Sequence, residues 1–297
     1  MGKAERNRRR NAQEKIAFQR AADRRAERYR QLLTVGGSVL AVLAIVVVFV
    51  IVKVSHHSSP ASTSASNLPA SVISDVTKVP AAALDQVGTG STYKGAIQPI
   101  ANGPQLTSGG KPQVVYVGAE YCPFCAAERW AMTAALSRFG TFTGLRGIHS
   151  STTDTDPNTP TLTFYKTSYS SKYVTFTSTE AQTVTRATLQ PLTSLDNQLM
   201  SKYDVPPYVP NTNESGSFPF VDFGNKYVIN GASFDPAVLA GKSWAQVAAA
   251  LKDPSSPIAK SVDGAANLIT AAICKVTGSK PASVCGSAGV TTATGAL

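Results

Sequence analysis

The sequence predicts an α/β domain, with a central mixed sheet flanked by helices, preceded by one transmembrane helix. Three stretches support this fold class. Residues 114–117 form an apolar run that leads through a short turn into a Cys-x-x-Cys motif and an Ala-rich segment, the pattern of a strand followed by a helix. Residues 220–223 and 226–229 have the pattern of two strands joined by a Gly-Asn turn. Residues 32–52 contain no charged side chain, and the run is long enough to cross a bilayer as a helix.

The net charge of +10 is concentrated at the N-terminus, where residues 1–30 hold eleven Lys or Arg and four Asp or Glu. A basic segment before an apolar span is typical of a cytoplasmic tail. We therefore expect a tail at residues 1–31, a transmembrane helix at 32–54, and the rest of the chain on the outer side of the cell membrane. The lipid bilayer is then a partner and nucleic acid is not, although binding of RNA, DNA or anionic lipid by the tail is an alternative. A cleavable signal peptide is a second alternative, but its apolar region is usually shorter, about 7–15 residues.

The segment after the span is rich in Ser, Ala, Thr and Pro. This composition predicts a flexible linker at residues 55–88, which leads to an extracytoplasmic domain at 89–297. His56 and His57 are adjacent in this linker, but no further metal-binding side chains accompany them, so no metal site is predicted.

The motif Cys122-Pro123-Phe124-Cys125 lies where the predicted strand passes into the predicted helix. Pro123 suits the first helical position, where its missing N–H costs nothing, so Cys122 is expected at the N-cap. Free N–H groups and the positive end of the helix dipole favour a thiolate at that position. We expect Cys122 to be the nucleophile and Cys125, one turn inside the helix, to resolve the mixed disulfide. No cofactor is predicted beyond the redox-active disulfide itself.

Two other uses of this motif stay open. A zinc site needs four ligands, of which the motif supplies two, and the spacing of Cys274 and Cys285 does not match a zinc knuckle. A purely structural disulfide across two residues closes a loop too short to gain much chain entropy. The motif therefore favours redox chemistry over both.

The strand, the Cys-Pro-Phe-Cys motif and the helix together resemble a thioredoxin-fold protein. A proline followed by a strand, a turn and a second strand also occurs downstream, from Pro219. The resemblance implies that Pro219 is a cis-proline lying against the dithiol, with a trans proline at a strand entry as the alternative. It also implies that Phe218 offers its backbone to a bound substrate chain, beside Pro123 and Phe124 from the motif.

Residues 90–290 also resemble an uncharacterised family of single-span, thioredoxin-like membrane proteins of archaea and actinobacteria. The matching features are the run Cys-Pro-Phe-Cys-Ala-Ala-Glu-Arg-Trp from Cys122, the Phe218-Pro219-Phe220 strand and the late cysteine pair. The long separation between Cys125 and Pro219 is closer to DsbA-like oxidoreductases. No substrate follows from this resemblance.

The sequence departs from the thioredoxin pattern at one chemically important position. Thioredoxins usually place a buried acid six residues before the first cysteine, and here that residue is Tyr116. Glu120 and Glu128 are the nearby candidates for proton transfer. Glu128 lies one helical turn after Cys125, and a solvated helix face is its alternative role.

An insertion is expected at about residues 150–215, in the long segment between Cys125 and Pro219. Residues 143–150 are expected to be the next core strand. Residues 161–165 and 172–177 alternate in polarity and predict a β-hairpin, either added to the sheet edge or forming a flap. A helix broken by Pro191 is expected at residues 189–203.

Two helices with core-packing stripes are expected near the C-terminus, from Ser243 and from about Pro257. The second leads to Cys274, and Cys285 follows across a segment that contains Gly and Pro. We expect a structural disulfide between them, with a second redox pair that relays electrons to Cys122 and Cys125 as the alternative.

These observations predict a membrane-anchored thiol–disulfide oxidoreductase. Its substrates would be exported proteins, and a redox partner in the membrane could exchange electrons with it. The direction of the reaction does not follow from the motif. The alternative function is a non-catalytic binding or chaperone module of the cell envelope, because a fold does not fix a function.

Overall fold

A mixed α/β domain is formed by residues 65–297, which are the residues that the computed structural model describes. In chain order the strands are β1 (Gln98–Pro99), β2 (Thr107–Ser108), β3 (Lys111–Gly118), β4 (Gly140–Thr143), β5 (Arg146–His149), β6 (Pro160–Thr163), β7 (Ser168–Ser171), β8 (Thr175–Glu180), β9 (Phe220–Phe223) and β10 (Tyr227–Asn230). The helices are α1 (Ala70–Thr77), α2 (Ala81–Val87), α3 (Pro123–Leu136), α4 (Ser194–Tyr203), α5 (Trp244–Ala250), α6 (Pro257–Val276), α7 (Ala282–Cys285) and α8 (Ala288–Thr294). Two 3-10 turns lie at Thr212–Glu214 and Pro236–Leu239.

Strand β3 is the centre of a six-stranded sheet with the order β1-β10-β9-β3-β2, and β8 also pairs with β3. The β8 strand runs parallel to β3, with Gly118 opposite Glu180 at the carboxyl end. On the other side β9 runs antiparallel to β3, with Val117 opposite Phe220. Strands β4 and β7 form one separate antiparallel pair, and β5 and β6 form another.

The apolar run of β3 is continuous because both faces of the strand are buried. Val114 and Tyr116 join the larger core cluster, to which α3 and α6 contribute. Val115 and Val117 point to the opposite face and join a smaller cluster that includes Leu199 of α4. Each fully buried aliphatic side chain of this kind stabilises the fold by about 1.5–3 kcal/mol. The end of β3 is therefore a well-packed support for the turn at residues 119–122, which leads into α3.

Helix α3 is buried along nearly its whole length. It packs against α6 and against β6. Helix α6 begins at Pro257 after a Ser256 cap, and its apolar positions, including Val262 and Ile269, are buried. The first turn of α3 is thus held between the end of the sheet and a second long helix.

The fold class predicted from the sequence, a thioredoxin-like fold preceded by a transmembrane helix, has to be corrected. Across residues 65–297 no helix combines the length and apolar character needed to cross a bilayer. The tail predicted at 1–31 and the span predicted at 32–54 lie outside the described residues. The finding is a mixed α/β domain with one six-stranded sheet and two small antiparallel pairs.

The predicted strand pairing between residues 143 and 177 is also wrong. The expected core strand at 143–150 contains β5, which pairs with β6 and not with β3. The expected hairpin partner at 172–177 instead enters β8, the parallel neighbour of β3. Alternating polarity identifies a strand but not its partner, and the Thr-rich alternation of β8 suggested an edge position. The region 150–215 therefore supplies one parallel strand beside β3, and its other two strands, β6 and β7, pair with β5 and β4.

The linker predicted at residues 55–88 is shorter than expected at its C-terminal end. Helices α1 and α2 begin directly after Pro69 and Pro80, and they bury Val72, Val76 and Leu84. Helix α1 packs against α5 and α2 packs against α6. A composition rich in small residues concealed these two short amphipathic helices.

Candidate active site: a dithiol at the start of helix α3

Cys122 caps the N-terminus of α3, directly after the turn that leaves β3. Its backbone is extended, and its Sγ accepts a hydrogen bond from the Cys125 N–H at 3.3 Å. Pro123 occupies the first helical position. The sulfur therefore faces an unsatisfied N–H group and the positive end of the helix dipole, both of which stabilise a thiolate.

The two thiols are free and sit in different surroundings. Cys122 retains 5% exposure and Cys125 is fully buried. The hydrogen bond with the Cys125 thiol lowers the pKa of Cys122 most; burial acts against this, and the Cys125 N–H and the charge of Arg129 lower it further. Burial raises the pKa of Cys125 well above its usual range, and the interaction with Cys122 raises it more. Cys122 is thus suited to attack as a thiolate, while Cys125 is held as a thiol.

The segment before β9 lies against this sulfur. The Cys122 thiol donates to the Phe218 carbonyl oxygen at 3.5 Å, and the Phe218–Pro219 peptide bond is cis. Phe124 is one of two large apolar side chains exposed in residues 65–297, at 39%. The structure therefore brings together Cys122, Cys125, Phe218 and Pro219, with the Phe124 ring beside them at the surface.

Glu120 and Glu128, the two acids considered for proton transfer, are both fully buried. The Oε1 atom of Glu120 accepts from the Thr163 hydroxyl at 2.7 Å. Glu128 accepts from the Ser233 N–H at 2.8 Å and from its hydroxyl at 3.1 Å. Burial raises the pKa of Glu128 to about 7, against the two Ser233 bonds. A solvated helix face for Glu128 is excluded, and proton transfer by either acid stays a prediction.

A buried ion pair that sequence reasoning missed lies next to the dithiol. Arg129 donates to both carboxylate oxygens of Glu180, from Nε at 2.8 Å and from Nη2 at 2.6 Å, and both side chains are fully buried. Nη2 also donates to the Ala119 carbonyl at 2.8 Å. The guanidinium lies 6.0 Å from the centre of the Tyr116 ring. The only signal in the sequence was the pair of charged residues, Glu128 and Arg129, inside an Ala-rich helix.

A cavity of about 530 Å³ is lined by residues that include His149, Ser151, Thr185 and Trp244. No residue of the turn 119–122 and neither thiol lines it. The Ser151 N–H donates to the Tyr121 carbonyl at 2.8 Å, which connects this lining to the residue before Cys122.

The second cysteine pair is a disulfide, Cys274–Cys285, with a Cα–Cα distance of 5.6 Å. It joins the last turn of α6 to α7. Among residues 65–297 no group of three His, Cys, Asp or Glu side chains could hold a metal ion, and His56 and His57 lie outside that range.

Comparison with known proteins gives one match. No curated protein and no solved structure matches the chain, so neither bears on the resemblance noted in the sequence. A family model described as a domain of unknown function, DUF929, matches residues 100–275, which is more than half of the chain and includes the dithiol, Pro219 and Cys274. The protein belongs to the DUF929 family.

Proposed function

We propose that this protein is a thiol–disulfide oxidoreductase that acts on protein thiols through Cys122 and Cys125. The observation that carries the proposal is the unequal pair of free thiols at the start of α3, one with a lowered and one with a raised pKa. A nucleophilic thiolate followed by a protected resolving thiol is the arrangement that disulfide exchange requires.

In the reducing direction the Cys122 thiolate attacks one sulfur of a substrate disulfide. A Cys122–substrate S–S bond forms, the substrate S–S bond breaks, and the other substrate sulfur leaves as a thiolate. Cys125 then loses its proton and attacks Cys122 Sγ, which releases the second substrate sulfur and leaves a Cys122–Cys125 disulfide. Two electrons pass from the protein to the substrate, and the same steps in reverse oxidise a substrate dithiol.

Two features support an extended polypeptide as the substrate. The Phe218 carbonyl lies 3.5 Å from the attacking sulfur, where a backbone N–H of a bound chain could reach it. The exposed Phe124 ring gives apolar contact area beside it. The Cys274–Cys285 disulfide supports a site of action in an oxidising compartment outside the cytoplasm. A second redox protein, which we place at the membrane, would restore the starting state of the dithiol.

The test is turnover in both directions: reduction of insulin disulfides, and oxidation of a dithiol peptide. We expect Cys122→Ser to lower the rate by about a hundredfold or more, because the nucleophile is removed. Cys125→Ser should accumulate a mixed disulfide at Cys122. The control is the double variant Cys274→Ser/Cys285→Ser, which removes the two sulfurs of the other pair and should retain turnover.

Turnover by the wild type that survives in Cys122→Ser would contradict the proposal. Absence of Cys-dependent turnover in both directions, in a protein whose Cys122 still alkylates, would favour a non-catalytic binding or chaperone module.

A further inference from the structure

The buried guanidinium of Arg129 lies one helical turn after Cys125 on α3. Removing two charges from water costs several kcal/mol per ion, and an apolar pair of similar volume is often as stable. Arg129 on α3 and Glu180 on β8 are nevertheless both fully buried. Stability alone does not account for an ion pair at this place.

The position of Arg129 connects it to the active-site turn. The Ala119 carbonyl accepts both from Arg129 Nη2, at 2.8 Å, and from the Cys122 N–H, at 3.2 Å. One oxygen atom therefore joins the cation to the backbone of the nucleophilic cysteine. The guanidinium thus supports the same carbonyl that receives the backbone N–H of the residue capping α3.

The two members of the ion pair have different hydrogen-bond partners. Glu180 is held by Arg129 on one side and by the Phe164 N–H at 3.2 Å on another. The Nη1 atom of Arg129 is buried, and within residues 65–297 it has no hydrogen-bond partner. Arg129 acts on both thiols as a positive charge that favours their ionised forms. Arg129, the cation of the pair, therefore lowers the pKa of both thiols by its charge.

Other ionisable groups near the thiols and their turn are Tyr116 on β3, Glu120 and Tyr121 in the turn, and Glu180 on β8. A second cation, Arg186, lies 3.7 Å from the centre of the Tyr121 ring, but its side chain is half exposed and paired with Asp154, so solvent screens its charge. Burial holds the pKa of Tyr116 well above its usual range, so its hydroxyl stays protonated at neutral pH. Tyr116 also occupies the position where an acid was expected from the sequence. The buried cation next to this dithiol therefore lies on α3, and β3 carries no acid among residues 111–118.

We propose that Arg129 is a positioning residue for the dithiol, whose buried cation fixes the active-site turn through Ala119 and favours the thiolate form of Cys122. This inference rests on the proposed function for its biological meaning. A cation that stabilises the thiolate stabilises the reduced protein relative to the disulfide, since the disulfide carries no charge. The reduction potential of the dithiol is thereby raised, which makes the protein a stronger oxidant.

The experiment compares two single variants that each neutralise one charge, Arg129→Gln and Glu180→Gln. An effect of charge shifts the pKa of Cys122 in opposite directions in the two variants, whereas a structural disturbance shifts it in the same direction. The rate of iodoacetamide alkylation at Cys122 is measured against pH on the reduced full-length protein, with peptide mapping. Arg129→Gln should raise the pKa of Cys122 and slow alkylation at pH 7 by about tenfold, one pKa unit. Glu180→Gln keeps the cation without its counter-ion, so the pKa of Cys122 should stay low or fall further. The equilibrium of Arg129→Gln with glutathione should shift about tenfold toward the disulfide, equivalent to about 30 mV.

Two further variants keep the test decisive if a single variant unfolds. Arg129→Gln/Glu180→Gln leaves no unpaired buried charge and should show the same raised pKa as Arg129→Gln. Arg129→Lys keeps the charge but loses the fork geometry, and it should retain a low Cys122 pKa with reduced thermal stability. The inference is overturned if Arg129→Gln and Glu180→Gln shift the pKa of Cys122 in the same direction, or if the double variant retains the wild-type pKa.

The thiol pKa is measured without any substrate, so it separates this inference from the proposed function. A wild type without exchange activity, combined with the expected pKa shifts, would remove the oxidoreductase and keep the role of Arg129. An active wild type in which Arg129→Gln leaves the pKa of Cys122 unchanged would keep the oxidoreductase and remove the role of Arg129.

Discussion

The two cysteine pairs of this protein occupy opposite ends of helices, and this difference explains their different chemistry. Cys122 and Cys125 begin α3, where free N–H groups and the positive end of the dipole favour a thiolate. Cys274 lies in the last turn of α6, where the dipole is negative and disfavours one. The first pair remains as two free thiols and the second forms a disulfide. The helix end therefore gives the sulfurs of the two pairs opposite electrostatic surroundings.

The largest effect expected from this comparison concerns the acids buried in the same two helices. Asp263 of α6 is buried with no hydrogen-bond partner for its carboxylate in the described part of the chain, and burial raises its pKa to about 8. Glu128 of α3 is held by Ser233, and burial raises its pKa to about 7. Between about pH 4 and these values the folded state binds more protons than the unfolded state, so the free energy of unfolding falls as pH rises and levels off above about pH 8.

Asp263→Asn should therefore flatten this decline and raise the free energy of unfolding at pH 9 by more than about 3 kcal/mol, since one pKa unit corresponds to about 1.4 kcal/mol. Urea unfolding followed by circular dichroism from pH 4.5 to pH 9 measures the effect. Glu128→Gln is the matched variant on the other helix and should flatten the curve less. Identical pH profiles for wild type and Asp263→Asn would show that the ionisation of Asp263 does not contribute to the decline in stability.

The second effect concerns the disulfide. Cys274→Ser/Cys285→Ser should lower the free energy of unfolding by about 3 kcal/mol, because the bond closes a loop with a sequence separation of 11. Thermal and urea unfolding measure the loss, and insulin reduction measures activity in the same preparation. Retained activity with lowered stability fits a structural bond. Lost activity with unchanged stability would instead assign an electron relay to this pair.

The smallest effect is the order of labelling within the reactive pair. With the reduced protein at pH 7, iodoacetamide should label Cys122 at least about tenfold faster than Cys125, because the thiolate is the reacting form. Quantitative peptide mapping after a short pulse gives the ratio. Faster labelling of Cys125 would reverse the roles of attacking and resolving thiol.

Local patterns in the sequence were sufficient for the parts of the site made by one segment. The strand expected before Cys122 is present as β3, and Pro123 is at the first position of α3. The two strands expected around the Gly-Asn turn are present as β9 and β10. Each of these depends on residues within a few positions of one another, where backbone preferences act directly.

Pairings between distant segments could not be predicted in the same way. The alternation in β8 indicated a strand at a sheet edge, but not that its one partner within residues 65–297 is β3, in parallel orientation. The ion pair of Arg129 and Glu180 joins residues 51 positions apart, so nothing local to either one indicates the other. The predicted fold class depended on the partners of distant strands, which local patterns do not give. It also included a transmembrane helix at residues 32–54, which lie outside the described residues.

The register that sets Glu180 opposite Gly118 has a consequence for synthesis of the chain. Both cysteines and Arg129 are made before their counter-ion, which follows 51 residues after the arginine. A growing chain contains the Cys122 thiol before β8 has been made and before Glu180 can hold the cation. On the role that we propose for Arg129, the low pKa of Cys122 is reached only after the segment that carries Glu180 has folded.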